Sequence, residues 1–102
     1  MIHVIAIITT KTGQRAAVLD LFRANIPNVR AEAGCVEYEA TIDAQPALPF
    51  QTGFGPDTFV VVEKWESPAA LEAHLVAPHM AAYAARVKDL VASRAIHVLA
   101  VA

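Results

Sequence analysis

The chain has one cysteine, Cys35, among its 102 residues. That excludes an internal disulfide framework and any cysteine-rich zinc site. Charge is sparse as well: 8 Lys and Arg stand against 10 Asp and Glu, for a formal net charge of −2. Without a basic excess there is no electrostatic footprint for nucleic acid or an acidic membrane surface. No stretch reaches the roughly 18 consecutive apolar residues of a membrane-crossing helix. The apolar opening Ile2–Ile8 lacks a basic leader and a cleavage pattern, so no signal peptide is expected and the protein reads as cytoplasmic. Nothing matches a phosphate loop, a dinucleotide fingerprint or a nucleophile elbow.

Apolar side chains are what the sequence has in excess. They make up 56% of the chain, and the mean hydropathy is +0.43. A domain of this size buries only about two-thirds of its unfolded surface. A lone copy would therefore expose contiguous apolar patches, and the simplest cover is a second copy.

Residues 2–9, IHVIAIIT, are rich in β-branched side chains and apolar on both parities, which predicts a strand buried on both faces. Residues 14–33 predict a helix whose buried stripe is Val18, Leu21, Phe22, Asn25 and Val29. Pro27 should kink that helix or split off its last turns, and Gly34 suits its C′ terminator. From 35 to 43 the pattern alternates, with Val36, Tyr38, Ala40 and Ile42 on one face and acidic or hydroxyl residues on the other. This predicts a strand near a sheet edge. Residues 44–57, with three prolines and two glycines, predict a long loop of the kind that often forms lids or binding segments.

Residues 58–65 predict a third strand, and Ser67-Pro68 opens a helix as N-cap and first helical position. Pro78 divides the following region into helices 67–76 and 78–92. Residues 94–101 predict a fourth strand. The order β-α-β-β-α-β predicts one α+β domain over residues 1–102, a ferredoxin-like sandwich with its first and third strands central. Strands one, three and four are apolar on the face the helices cannot reach. A homodimer with two sheets packed face to face is the expected solution.

Period two along the third strand places Phe59, Val61, Glu63 and Trp65 on one face. A carboxylate between apolar neighbours must be protonated or paired, so Glu63 is either a base or acceptor, or a member of a structural ion pair. His79, Tyr83 and Arg86 fall at i, i+4 and i+7 on one side of a helix. Together they offer a proton acceptor, a hydrogen-bond donor to a developing oxyanion and an anion holder; singly, each is an ordinary boundary residue. His74 lies across Pro78 from His79, which is not the same-face spacing of a helical metal pair, and no metal site is expected. Asn25 points either into a cavity or at the Arg23 carbonyl that Pro27 leaves without its usual partner. His3 and His97 read as packed or interface residues, and Cys35 as a small buried hydrophobe.

At GCVEYE (34–39) and VVVEKWESPAALEAHLVAPHM (60–80) the chain resembles the antibiotic biosynthesis monooxygenase superfamily, particularly its small quinol-monooxygenase-like proteins. The most specific part is the E-x-W of Glu63 and Trp65 followed by His74 and His79. The resemblance implies a dimeric α+β barrel with a pocket between sheet and helices. It also implies oxidation of a small quinol- or phenol-like aromatic substrate by O2 without flavin, haem or metal cofactor. Most enzymes delegate oxygen chemistry to a cofactor, so here the deprotonated substrate must supply the electrons. In that picture His79, or His74 assisted by Glu63, is the base; Tyr83 and Arg86 stabilise charge; Trp65 stacks on the ring. Asn25 and Val61 join the substrate-binding set, Val61 standing where polyketide-tailoring relatives carry an asparagine. The second tryptophan and haem-ligating histidine of haem-degrading relatives are missing at His74 and near Ala84. Two other readings stay open: an isomerase of a small hydroxy-ketone or lactone, and a non-catalytic dimer that binds aromatic metabolites.

Overall fold

A computed structural model describes residues 1–102. The elements are β1 (Ile2–Thr10), α1 (Arg15–Arg30), β2 (Cys35–Thr41), β3 (Thr58–Trp65), α2 (Pro68–Leu75), α3 (Pro78–Val87) and β4 (Val91–Leu99). The four strands form one antiparallel sheet in the order β2-β3-β1-β4, the ferredoxin-like arrangement with β1 and β3 central.

The register puts Val4 opposite Glu63 and Ala6 opposite Val61. These residues, with Phe59 and Trp65, form the face buried against the helices. From α1, Val18, Leu19, Phe22 and Val29 complete the core. Leu21 and Asn25 sit at its margin, half-buried. Phe22 anchors an aromatic cluster, stacked on Tyr38 with ring centroids 5.1 Å apart and meeting Phe59 and Tyr83 edge-on.

Pro27 does not split α1, which runs unbroken to Arg30. Only the bond to the Arg23 carbonyl is forfeited, at an exposed position of the helix. The helix stops short of the predicted Ala33, and a turn over residues 31–34 follows. Gly34 therefore is not the helix terminator. It holds φ +83° at the entry to β2, and its carbonyl accepts from the Glu66 N–H at 2.9 Å.

In β2 a bulge between Cys35 and Glu37 sets Cys35 opposite Trp65 and Tyr38 opposite Glu63. Val36, expected on the core face, is the extra residue and is exposed. Ile42 lies beyond the strand and is exposed too. The long loop is organised by Asp43, whose carboxylate accepts from the N–H groups of Phe54 and Gly55 at 2.9 Å. Those two bonds hold the Asp43 carboxyl below the usual range. Phe50 stands out from this loop, 84% exposed.

Helix α3 ends at Val87 rather than 92, and β4 starts three residues before the predicted position. A turn through Leu90, whose carbonyl accepts from Lys11 N–H, makes the early switch. The short α3 leaves β4 uncovered: Ile96 (51% exposed) and Val98 (55%) sit on the helix side of the sheet, opposite Ala6 and Val4. Apolar surface is thus open on both faces of β4, not only on the outer one.

Among the four glycines, Gly34 has the least room, where the residues 31–34 turn meets α2. A methyl group on Gly34 would come within 2.6 Å of the Ala70 Cβ, at a backbone angle that side chains rarely adopt. Gly34→Ala is expected to lower the unfolding free energy by about 1–3 kcal/mol. Urea denaturation measures it, and an unaltered midpoint would show that the two segments do not press together.

Candidate functional site

Glu63 and Trp65 lie two residues apart on β3 and so share the helix-facing side. The Trp65 Nε1–H donates to Glu63 Oε1 at 2.9 Å. Glu63 is only 6% exposed, and burial raises its carboxyl above the ordinary range; the Trp65 hydrogen bond and the nearby His74 pull the other way. Trp65 itself is fully buried.

His74, 2% exposed, packs from α2 onto Trp65 with ring centroids 4.6 Å apart and meets Tyr38 edge-on. Its Nδ1 is 2.7 Å from Glu32 Oε2. Glu32 belongs to the turn after α1, where the sequence pattern predicts the tail of a helix. The Gly34–Glu66 bond draws that turn over α2, and with it the carboxylate over His74. Only this tertiary contact marks Glu32, and no local pattern signals it.

The same Glu32 oxygen lies 3.4 Å from His79 Nε2 at the start of α3. Neither ring nitrogen of His79 makes a hydrogen bond, though both are enclosed. One carboxylate thus stands between a histidine that it bonds and one whose ring nitrogens make no hydrogen bond.

His79 borders a cleft of about 220 Å3 between α1 and α3, with Asn25, Asn28, Tyr83 and Arg86 on its other walls. Asn25 does not serve the Arg23 carbonyl: its amide donates to Met80 Sδ at 3.4 Å, and its oxygen accepts from Asn28 at 3.1 Å. Burial pushes the Tyr83 hydroxyl up to about 12, against a smaller opposing effect of Arg94. It is therefore a hydrogen-bond donor at neutral pH. Arg86 makes none of the chain's ion pairs.

The proposed site residues thus fall into two groups. His79, Tyr83, Arg86 and Asn25 line one cleft. Glu63, Trp65, His74 and Val61 are buried behind it. Trp65 gives one ring face to His74, and Val61 packs in the core, so neither borders the cleft. Glu32 joins the groups through the two histidines. No three His, Cys, Asp or Glu side chains are grouped so as to hold a metal ion, and no helix is long and apolar enough to cross a membrane.

The family model described as antibiotic biosynthesis monooxygenase matches residues 1–86. The chain is 46% identical over 101 residues to the Escherichia coli protein named "Probable quinol monooxygenase YgiN", covering 97% of this chain and 96% of that one. Among solved structures it resembles Rv0793 from Mycobacterium tuberculosis, with TM-score 0.80, 30% identity, and 99% and 94% of the two chains covered. PA3566 from Pseudomonas aeruginosa also has TM-score 0.80, with 28% identity and coverage of 96% and 90%.

A carboxyl whose pKa is raised by folding stabilises the fold below its unfolded pKa, and that contribution is lost as pH climbs through the folded value. Glu63→Gln removes the titration while its amide oxygen keeps the acceptor for Trp65. Wild type is expected to lose stability relative to this variant as pH rises from about 4 to about 7. Melting temperatures of the pair across that range measure it; a constant gap would mean that Glu63 ionises in the fold as it does in water.

Proposed function

This chain belongs to the antibiotic biosynthesis monooxygenase family, and we propose that it oxidises a small quinol- or phenol-like aromatic compound with O2 in the cleft between α1 and α3. The family and the similarity to a protein named as a quinol monooxygenase support a monooxygenase. The observation that carries the reading within the chain is His79, a histidine with uncommitted ring nitrogens beside Glu32 at the edge of that cleft.

Triplet oxygen reacts poorly with closed-shell molecules unless an electron-rich donor delivers electrons singly. A phenolate is such a donor. His79 takes the hydroxyl proton once its ring turns an enclosed nitrogen to the cleft, and Glu32 Oε2 lies 3.4 Å from that ring. Tyr83, protonated at neutral pH, donates to the developing oxyanion, and Arg86 supplies positive charge on the same wall. For a quinol with a free ring position, one oxygen atom enters the ring and the other leaves as water. The four electrons come from the substrate, two from the quinol and two from the broken C–H bond. Glu63, Trp65 and His74 act behind the cleft by fixing Glu32 and the start of α3, and do not touch the substrate.

A homodimer belongs to this proposal. The outer sheet face carries Ile5, Ile7, Val60, Val62 and Leu99, with a hollow of about 310 Å3 bordered by His3, Ile5, Val62 and Leu99. A second copy placed on that face removes it from water.

Purified protein freed of metal and flavin is expected to raise O2 uptake with reduced naphthoquinones or anthrones above the buffer rate, with labelled oxygen appearing in the product. His79→Ala should slow the reaction by about 10²–10⁴-fold. If no such compound raises uptake, the oxygenase reading fails; an undiminished rate in His79→Ala removes that residue as the base. Sedimentation in dilute solution should give twice the 10.9 kDa chain mass, and a monodisperse monomer would remove the dimer.

A further inference from the structure

The only enclosed polar side-chain atoms without a hydrogen-bond partner are the two ring nitrogens of His79. A buried nitrogen left unpaired is costly, so the arrangement calls for a cause. The His79 side chain is nonetheless 24% exposed, and it borders the α1–α3 cleft. Since neither nitrogen is open, the surface it shows is carbon. The residue read as the base thus stands at the cleft with its basic atoms turned away.

Glu32 is the neighbour that marks this inward orientation. Its Oε2 lies 3.4 Å from His79 Nε2, the sole acidic oxygen within ion-pair reach of that ring. The same oxygen is held 2.7 Å from His74 Nδ1, and His74 is packed against Trp65 and Tyr38. The carboxylate is therefore tied to α2 whichever way His79 turns. Turning the imidazole over about its Cβ–Cγ bond exchanges each nitrogen with a ring carbon while the ring keeps its place. A hydroxyl in the cleft offers the turned nitrogen the hydrogen bond that it lacks when facing inward.

We propose that His79 is a gated base and Glu32 its positioning residue: Glu32 sets the ring with its nitrogens inward, and a hydroxyl-bearing ligand in the cleft turns one out. Without such a ligand the cleft meets carbon, and proton removal waits for a hydroxyl to enter. This rests on the reading of His79 as the base of the reaction, and a chemical probe of the ring tests it apart from turnover.

The test is acylation of the histidines by diethyl pyrocarbonate at about pH 8, above the ordinary imidazole range, followed residue by residue by peptide mass spectrometry. In wild type, His79 should react at roughly a tenth of the N-acetylhistidine rate or less, as a group reached only through a minor conformer. His74, 2% exposed, serves as the internal control and should be slower still. Glu32→Gln, which keeps an acceptor for His74, should raise the His79 rate about tenfold and leave His74 protected. Glu32→Ala is the second variant; unmasking of His79 there alone places the gate at Glu32 through its bulk rather than its charge. A His79 that reacts as freely as N-acetylhistidine in wild type, or stays slow in both variants, would overturn the gate. So would His79 and His74 becoming reactive together, which would make Glu32 a structural clamp only. Failure of O2 uptake alongside selective unmasking of His79 would strike the oxygenase reading and leave the gate standing.

Discussion

The hydrogen bond from the Glu66 N–H to the Gly34 carbonyl joins the turn after α1 to the junction between β3 and α2. It forms only because Gly34, at φ +83° and without a Cβ, lets the backbone come against Ala70. Residues two and eight positions away along the chain then fall into place: Glu32 reaches over α2, and His74 rises from α2 to meet it at 2.7 Å. His74 in turn seals one face of Trp65, whose indole N–H satisfies the buried Glu63. A cavity-filling side chain at Gly34 would disturb every member of this series. The close approach is therefore as much a requirement of the site as of the fold.

The buried group and the cleft group divide the chemistry according to solvent. Glu63 is deep enough that burial favours its neutral form, and its one oxygen bond is already committed to Trp65. Such a carboxyl is poorly placed to exchange protons with a ligand it cannot touch. Glu32 is a better candidate for influencing chemistry, because it is partly accessible and lies between the committed His74 and the uncommitted His79. Acidic groups thus fix the framework from inside, while the cleft's polar walls are Asn25, Asn28, His79, Tyr83 and Arg86.

Much of the architecture was legible because it follows from short-range periodicity. Apolar residues on both parities marked β1, β3 and β4, and Ser67-Pro68 and Pro78 marked the starts of α2 and α3 to within a residue. The i, i+4, i+7 spacing of His79, Tyr83 and Arg86 placed them on the cleft they share. What the sequence hid depends on pairing between distant segments. The bulge that swaps Cys35 for Val36 on the core face shows only against β3. Trp65 looked like an open stacking surface until α2 laid His74 on it, and Glu32 sat in an unremarkable stretch read as helix. The early end of α3 was hidden for another reason. Residues 88–92 continue a tolerable helical pattern, and the sheet's demand for β4 opposite β1 overrides it.

That shortened helix has the widest consequence. Had α3 run to residue 92, it would have extended along β4, taking up the surface of Ile96 and Val98 and the space in front of Arg94. β4 is an edge strand by its place in the sheet, and by stopping at Val87 the helix leaves Ile96 and Val98 exposed on the inner face. An isolated subunit would gain by covering that strand, and the hydrophobic term alone favours a longer helix. Apolar surface is accordingly concentrated at this edge of the sheet, with Ile96, Val98 and Leu99 each about half exposed. The short helix thus bares the inner face of β4 alone and leaves the small opening between α3 and β4 that Tyr83 borders.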